Sequence, residues 1–250
     1  MTEFSYQLYS SRNFGPWAAT YAMLAKAGYT MVEGFGGVYE DAGATKAALD
    51  AAGLTMPSGH FFPAGAFEDG LEDSLATAKA LGMKRVFCPA PEDDLRDNGT
   101  SEDWKALAHR LEAAAPKLRD AGLDFGWHNH HWEFMPLPDG SIAMEILLQE
   151  APSIDWEMDV AWVVKGGGDP LAWMERYADR ITTAHIKDIA ADGECEDEDG
   201  WADVGHGTMD WAGLTTALRK TRCDLFIMEH DNPSDHARFA ERSIASTNTY

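Results

Sequence analysis

The sequence is poor in cysteine: Cys88, Cys195 and Cys223 fall at no paired spacing and form no CxxC. That excludes a disulfide framework and a cysteine-based zinc knuckle, and the expectation is three reduced thiols. No apolar run reaches the roughly eighteen residues that a membrane helix needs. The opening MTEFSYQLYS has no basic stretch leading into an apolar one, so no secretory signal is read and the expected location is the cytoplasm. Basic residues are scarce, 20 against 42 acidic, for a formal net charge of −22. Such a surface repels phosphate backbones and argues against nucleic acid as a partner. A GxGxxG after the first strand and a P-loop are both missing, which removes the nucleotide-binding grounds for an open doubly wound sheet.

What is present is an alternation. Short β-branched or aromatic runs such as YTMVEGF, KRVFCPA and ITTAHIKDI take turns with longer helical patterns. Several of those patterns stop at a glycine: residues 17–27 at Gly28, 44–52 at Gly53, 71–81 at Gly82 and 101–121 at Gly122. Glycine is the residue that most easily takes the left-handed conformation ending a helix. Later, Asp169 is placed to cap, and Pro170 to open, a further helix. Eight strand–helix units share 250 residues, about 31 each, which suits an α/β-class closed (β/α)8 TIM barrel built as one domain over residues 1–250. The one long stretch without periodicity, residues 192–207 (DGECEDEDGWADVGHG), follows the seventh strand. On a barrel that loop overhangs the mouth where such enzymes work.

Ligand-type residues recur at the ends of the last four predicted strands: the cluster HNHHWEF, then Asp159, His185 and Glu229. Counted from Glu133 they stand 26, 26 and 44 residues apart, close to one βα unit each once the long loop is allowed for. Singly, each has an ordinary reading as a strand-end cap or a hydrogen-bonded core group. Together, on successive strands of one barrel, they converge on a single mouth. Carboxylates with imidazole make an oxygen/nitrogen site suited to Mn²⁺, Mg²⁺, Co²⁺ or Zn²⁺. A cation there would polarise a carbonyl and acidify the adjacent hydroxyl or C–H. Glu33 in MVEGF and His60 in PSGHF end the second and third strands and point to the same mouth, where they could bind substrate hydroxyls.

These segments resemble the xylose isomerase-like barrel superfamily, in particular its sugar phosphate isomerase/epimerase branch with inosose dehydratase-like members. The resemblance is carried by SYQLYSSR, HNHHWEF, DVAWVVKGGGDP, RITTAHIKD, VGHGTMDW and IMEHD, in that order along nearly the whole chain. It implies a divalent metal held by Glu, Asp, His and Glu, and proton abstraction beside a metal-bound carbonyl or hydroxyl. By motif the metal ligands are Asp159, His185 and Glu229, with Glu133 as the first. Where many relatives place a glutamate at the end of the fifth strand this chain has His128, so His128 or His130 is the alternative ligand or the catalytic base. Lys187 lies where an ammonium would stabilise an enolate, and His206 in VGHG is expected to approach substrate from the loop, with His130 as a further substrate contact. Glu133, Glu229, His128 and Lys187 form the expected catalytic set.

The leading functional reading is isomerisation or epimerisation of a small sugar or ketose. The alternatives are a dehydratase or lyase acting on a keto-inositol or 3-keto-glycoside, and a non-catalytic barrel that binds metal and sugar. No glycine-rich phosphate cup is evident near strands seven and eight, so the expected partner is a neutral carbohydrate. The resemblance also raises a homodimer as an expected assembly, although no segment marks its interface.

Overall fold

The structure, a computed structural model, describes residues 4–249. Eight parallel strands close on themselves: β1 (Phe4–Gln7), β2 (Met31–Gly34), β3 (Thr55–His60), β4 (Arg85–Cys88), β5 (Asp124–His128), β6 (Asp155–Asp159), β7 (Ile181–Ile186) and, after a short hairpin, β10 (Leu225–Met228). Each pairs with its neighbour in sequence order, and β10 closes the ring against β1, with Ser5 opposite Ile227. The expected (β/α)8 barrel is therefore present.

Between the strands run α1 (Trp17–Ala27), α2 (Ala42–Ala52), α3 (Leu71–Leu81), α4 (Asp93–Asn98), α5 (Ser101–Asp120), α6 (Ala143–Glu150), α7 (Val160–Lys165), α8 (Pro170–Arg176), α9 (Trp211–Leu218) and α10 (His236–Ser246). Their ends follow from local chemistry. Gly28 and Gly53 close α1 and α2 at φ of 108° and 73°, a region that costs a side-chain-bearing residue roughly 1–2 kcal/mol. Thr100 and Asp103 form a reciprocal capping box at the start of α5. Strands buried on both faces turn apolar side chains outward against the helices, where Trp104, Trp127, Trp156 and Phe239 belong to the main core.

The barrel lumen is layered. Met31, Leu225 and Ile227 form a small apolar cluster of their own, while the C-terminal end of the lumen is polar. His60 of β3 contacts Glu157 of β6, and His185 of β7 contacts Glu33 of β2. Neither pair of strands is adjacent in the sheet, so both contacts cross the lumen.

The run IDWEMDVAWV divides between two elements: β6 ends at Asp159 and α7 begins at Val160. The Asp159 carboxylate accepts from the Trp162 amide and so starts a helix immediately after the strand. The aperiodic loop is also built: β8 (Asp188–Ile189) pairs antiparallel with β9 (Trp201–Ala202). From α10, Arg238 contacts both Glu198 and Asp203 of this loop, and Arg242 contacts Asp203.

Candidate metal centre and its cleft

Four donor side chains meet at the C-terminal end of the barrel: His128 ending β5, Asp159 ending β6, His185 on β7 and Glu229 just after β10. Their ligand-type atoms lie within 4.8 Å of one another, and all four residues are buried. His185 turns Nδ1 to Glu229 Oε2 at 2.8 Å and Nε2 to Glu33 Oε2 at 2.7 Å. Lys187, wholly buried, sets Nζ 3.2 Å from Asp159 Oδ2, 2.9 Å from Glu229 Oε2 and 2.9 Å from Asp231 Oδ2. Asp159 is held from behind by Asn129, whose Oδ1 accepts from the Asp159 amide at 3.0 Å and from Trp156 Nε1 at 2.8 Å. The Asn129 Nδ2 donates to the Asp159 carbonyl at 3.1 Å.

Burial and charge pull against each other here. Burial disfavours charge on His185, but the carboxylates of Glu229 and Glu157 outweigh it and hold its pKa well above the usual value. Burial also opposes ionisation of Glu229, and Lys187 with His185 overcomes it, so that carboxyl stays well below the usual range. At Asp159 burial wins over Lys187, and the pKa rises to about 7. Burial next to the other imidazoles lowers His128 to about 3, and His130 also falls well below its ordinary value, so both rings are neutral bases.

The donor set fits a divalent cation. Carboxylates and imidazoles converge at one point, and the buried Asp159 Oδ2 makes no hydrogen bond although the Lys187 ammonium lies 3.2 Å away. A buried anionic oxygen is costly unless a cation is close, a place that Lys187 and a metal ion would share. Above the cluster opens a cleft of about 670 Å3 whose lining includes His60, His128, His130, Lys165 and Glu229, with Tyr9, Phe35, Phe62, Trp132, Trp162 and Trp201 as its apolar walls.

A profile for the xylose isomerase-like TIM barrel matches residues 21–249. The chain belongs to that family. Over 173 residues it is 27% identical to an inosose dehydratase of Lacticaseibacillus casei, a match covering 62% of this chain and 58% of that protein. An inosose dehydratase of Geobacillus kaustophilus is 28% identical over 103 residues, covering 41% and 33% of the two chains. The chain thus spans less than two thirds of the curated relatives it matches. Among solved structures, a sugar phosphate isomerase/epimerase from Parabacteroides distasonis superposes with a TM-score of 0.82 at 23% identity, covering 100% of this chain and 94% of that one. A probable 3-DHS dehydratase from Bacillus anthracis superposes at 0.76 with 13% identity, covering 98% of each. Identities this low speak to the fold alone.

In this xylose isomerase-like barrel, Asp159, His185 and Glu229 come together as the sequence suggested, and the fourth member of the group is His128. Glu133 is not brought to them. It sits in a short turn beyond β5, fully buried, where its carboxylate accepts from Trp127 Nε1 at 3.1 Å and from the His130 amide at 2.9 Å. Burial raises its pKa to about 8. His206 is not brought to the cleft either: it is exposed, its amide donating to the Asp203 carbonyl. The turn around it is folded by Asp188, whose carboxylate accepts the amides of Ile189, Gly205, Gly207 and Met209. Asp188 is therefore occupied, and Lys187 turns the other way, into the site.

His60 and His130 line the cleft, while Glu33 lies deeper, under His185. His130 Nδ1 is buried without a hydrogen-bond partner, and its ring stacks on Trp132 at 4.3 Å. Two site residues escaped the sequence reading. Glu157, fully buried in the lumen, stands two residues before Asp159 on β6 and so on the same strand face, a signal that strand periodicity carries. Asp231 follows Glu229 by two residues and completes the carboxylate ring around Lys187.

Proposed function

We propose that this chain is a divalent-metal-dependent enzyme that removes the proton beside the carbonyl of a small neutral sugar or cyclic polyol and returns it elsewhere, an isomerase or epimerase of a ketose. The observation that carries the reading is the buried group His128, Asp159, His185 and Glu229 with Lys187 beside it, at the floor of an open cleft walled by aromatic rings. Those four side chains would hold the ion, which when bound supplies Lewis-acid polarisation of the substrate oxygen.

The rest belongs to the chain. Lys187, its pKa raised because three carboxylates outweigh the cost of burial, stays an ammonium and stabilises negative charge that develops on the substrate oxygen. His130, neutral and with an unpartnered Nδ1, receives the carbon-bound proton and returns it. Trp132 keeps that ring in orientation by stacking, and Trp162 with Trp201 covers Lys187 against water.

The curated relatives favour a second reading, because those matched in sequence are dehydratases. In that case removal of the proton is followed by loss of the β-oxygen substituent, which leaves as water or an alcohol while a carbon–carbon double bond forms. One assay separates the outcomes: the metal-loaded protein is incubated in deuterated water with a panel of ketoses, inososes and 3-keto-glycosides. Deuterium at the carbon beside the carbonyl, lost on chelation and in Asp159→Ala and Glu229→Ala, supports the proton-transfer chemistry. A rearranged sugar identifies the isomerase, and an unsaturated product the dehydratase. Stoichiometric metal with no exchange in any substrate counts against an enzyme and for a binding barrel.

A further inference from the structure

The mouth of the cleft differs from one side to the other. The loops that follow β1 to β4, neighbours in the closed sheet, bring Tyr9, Phe35, Phe62, Pro89, Ala90 and Pro91 to its lining. The later loops bring polar groups, among them His130, Lys165, Asp199 and Asp231. On the first side hydrogen-bonding groups are scarce. Proline has no amide N–H, so residues 89–91 offer a single backbone donor. Arg12 lies over the Tyr9 ring, 4.0 Å from its centre, and donates to the carbonyls of Tyr9 and Asp231. Asp93 and Arg96, the charges that line the cleft next to this wall, pair with each other at 3.0 Å.

The wall is firm at one point and uncovered at another. Phe35 is fixed by edge-on contacts with Tyr9 and Trp17, 5.4 and 5.9 Å between ring centres. Phe62 is 55% exposed, the most open of the large apolar side chains among the described residues. An apolar ring left in water at the rim of a cleft gains free energy when a ligand covers it. Space points the same way. The cleft measures about 670 Å3, which at ~30 Å3 per water is room for about 22 waters. A hexose, with a dozen non-hydrogen atoms, fills little more than half of that, and the polar floor already supplies the partners its hydroxyls need. What remains faces carbon, where a second sugar ring would leave its own hydroxyls without partners.

We propose that this wall is a subsite for a flat apolar aglycone, and that the substrate is a keto-glycoside of an aryl alcohol, bound with its sugar on the floor and its aryl ring against Phe62 and Phe35. The inference rests on the floor being the reacting end, as in the proposed function, and narrows it. In a glycoside the anomeric carbon is held as an acetal, so the carbonyl stands on another ring carbon. The floor then epimerises that ring or expels its β-oxygen substituent, and interconversion of an open-chain aldose and ketose is excluded.

The intact Mn²⁺-loaded chain and its Phe62→Ala variant are titrated calorimetrically with phenyl β-D-glucopyranoside, methyl β-D-glucopyranoside and cellobiose, which carry no ketone and so bind without reacting. The 3-keto forms of the two glycosides are then compared by deuterium exchange. The phenyl glycoside is expected to bind at least about tenfold tighter than the methyl one, since a tenfold gain is about 1.4 kcal/mol and an aromatic ring buries ample area to supply it. In Phe62→Ala, an exposed position whose folding is checked by circular dichroism, that advantage should fall to about threefold or less while methyl binding is unchanged. Equal binding of phenyl and methyl glycosides overturns the subsite, as does binding of none of the three. Cellobiose bound as tightly as the phenyl glycoside overturns its apolar character, and an advantage kept in Phe62→Ala overturns its place on this wall. Exchange without a phenyl advantage leaves the proposed function standing alone; a phenyl advantage without exchange leaves the subsite and removes the proton transfer.

Discussion

Replacing Lys187 by Met tests the electrostatic account of the site most directly. The side chain is wholly buried and its Nζ stands 2.9–3.2 Å from three carboxylates. Methionine fills nearly the same space but carries no charge, so the loss is electrostatic rather than a cavity. Removing one partner of a buried ion pair typically costs about 3–5 kcal/mol, because the remaining charge is left buried and unpaired. For a chain of this length each kcal/mol lowers Tm by about 2–4 °C, so in chelator Lys187→Met is expected to melt roughly 6–20 °C below the parent. Divalent metal should narrow the gap. Lys187 occupies the same Asp159 and Glu229 oxygens that a cation would use, so its removal strengthens metal binding, and each tenfold gain in affinity returns about 1.4 kcal/mol at saturating metal. Thermal unfolding in chelator and in Mn²⁺ reads both effects. The control is Lys165→Met: Lys165 is exposed, and its loss should shift stability by no more than about 0.5 kcal/mol. A Lys187→Met Tm within about 2 °C of the parent in chelator would refute the reasoning.

Glu133, with its pKa raised to about 8 by burial, holds a proton in the folded state that it loses in the unfolded one. Its contribution is fully present below the ordinary carboxyl range and is lost as pH rises to about 8. Urea midpoints should therefore decline over that window, and Glu133→Gln should flatten the slope; an unchanged slope would show that Glu133 does not titrate there. Gly207→Ala would set a Cβ 2.3 Å from Asp188 Oδ1 and 2.4 Å from the Ile189 carbonyl. The expected cost is about 1–3 kcal/mol, read as a lower Tm, and an unperturbed Tm would mean that the turn relaxes freely. Arg238→Met removes the clamp from Glu198 and Asp203 and should speed proteolysis within residues 191–200. In the parent that protection is fully present above the ordinary carboxyl pKa and weakens as pH falls toward 2, where Glu198 protonates. Unaltered cleavage in Arg238→Met would remove the clamp from the account.

The barrel was legible because its punctuation is local: β-branched runs, helical patterns and left-handed glycines such as Gly28 and Gly53 declare themselves within a few residues. Asp159, His185 and Glu229 were legible because polar groups ending apolar strands stand out. Glu157 was hidden in DWEMD by its proximity to Asp159, although both lie on one strand face. Glu133 and His206 could be placed only by contacts that sequence spacing does not encode, the Trp127 indole in one case and the Asp188 carboxylate in the other. The order of the 192–207 segment depends on Arg238 and Arg242, some 35 to 40 residues downstream, which no local pattern announces.

The division of labour between His128 and Asn129 has an evolutionary consequence. Asn129 ties β5 to β6 and fixes Asp159, while in the proposed centre its neighbour His128 would supply a donor atom. On that proposal, a mutation at His128 that exchanges imidazole for carboxylate would shift the preferred ion and the charge of the centre while the Asn129 contacts stay in place. Descendants of such a barrel can change their chemistry by one codon before they change their architecture at all.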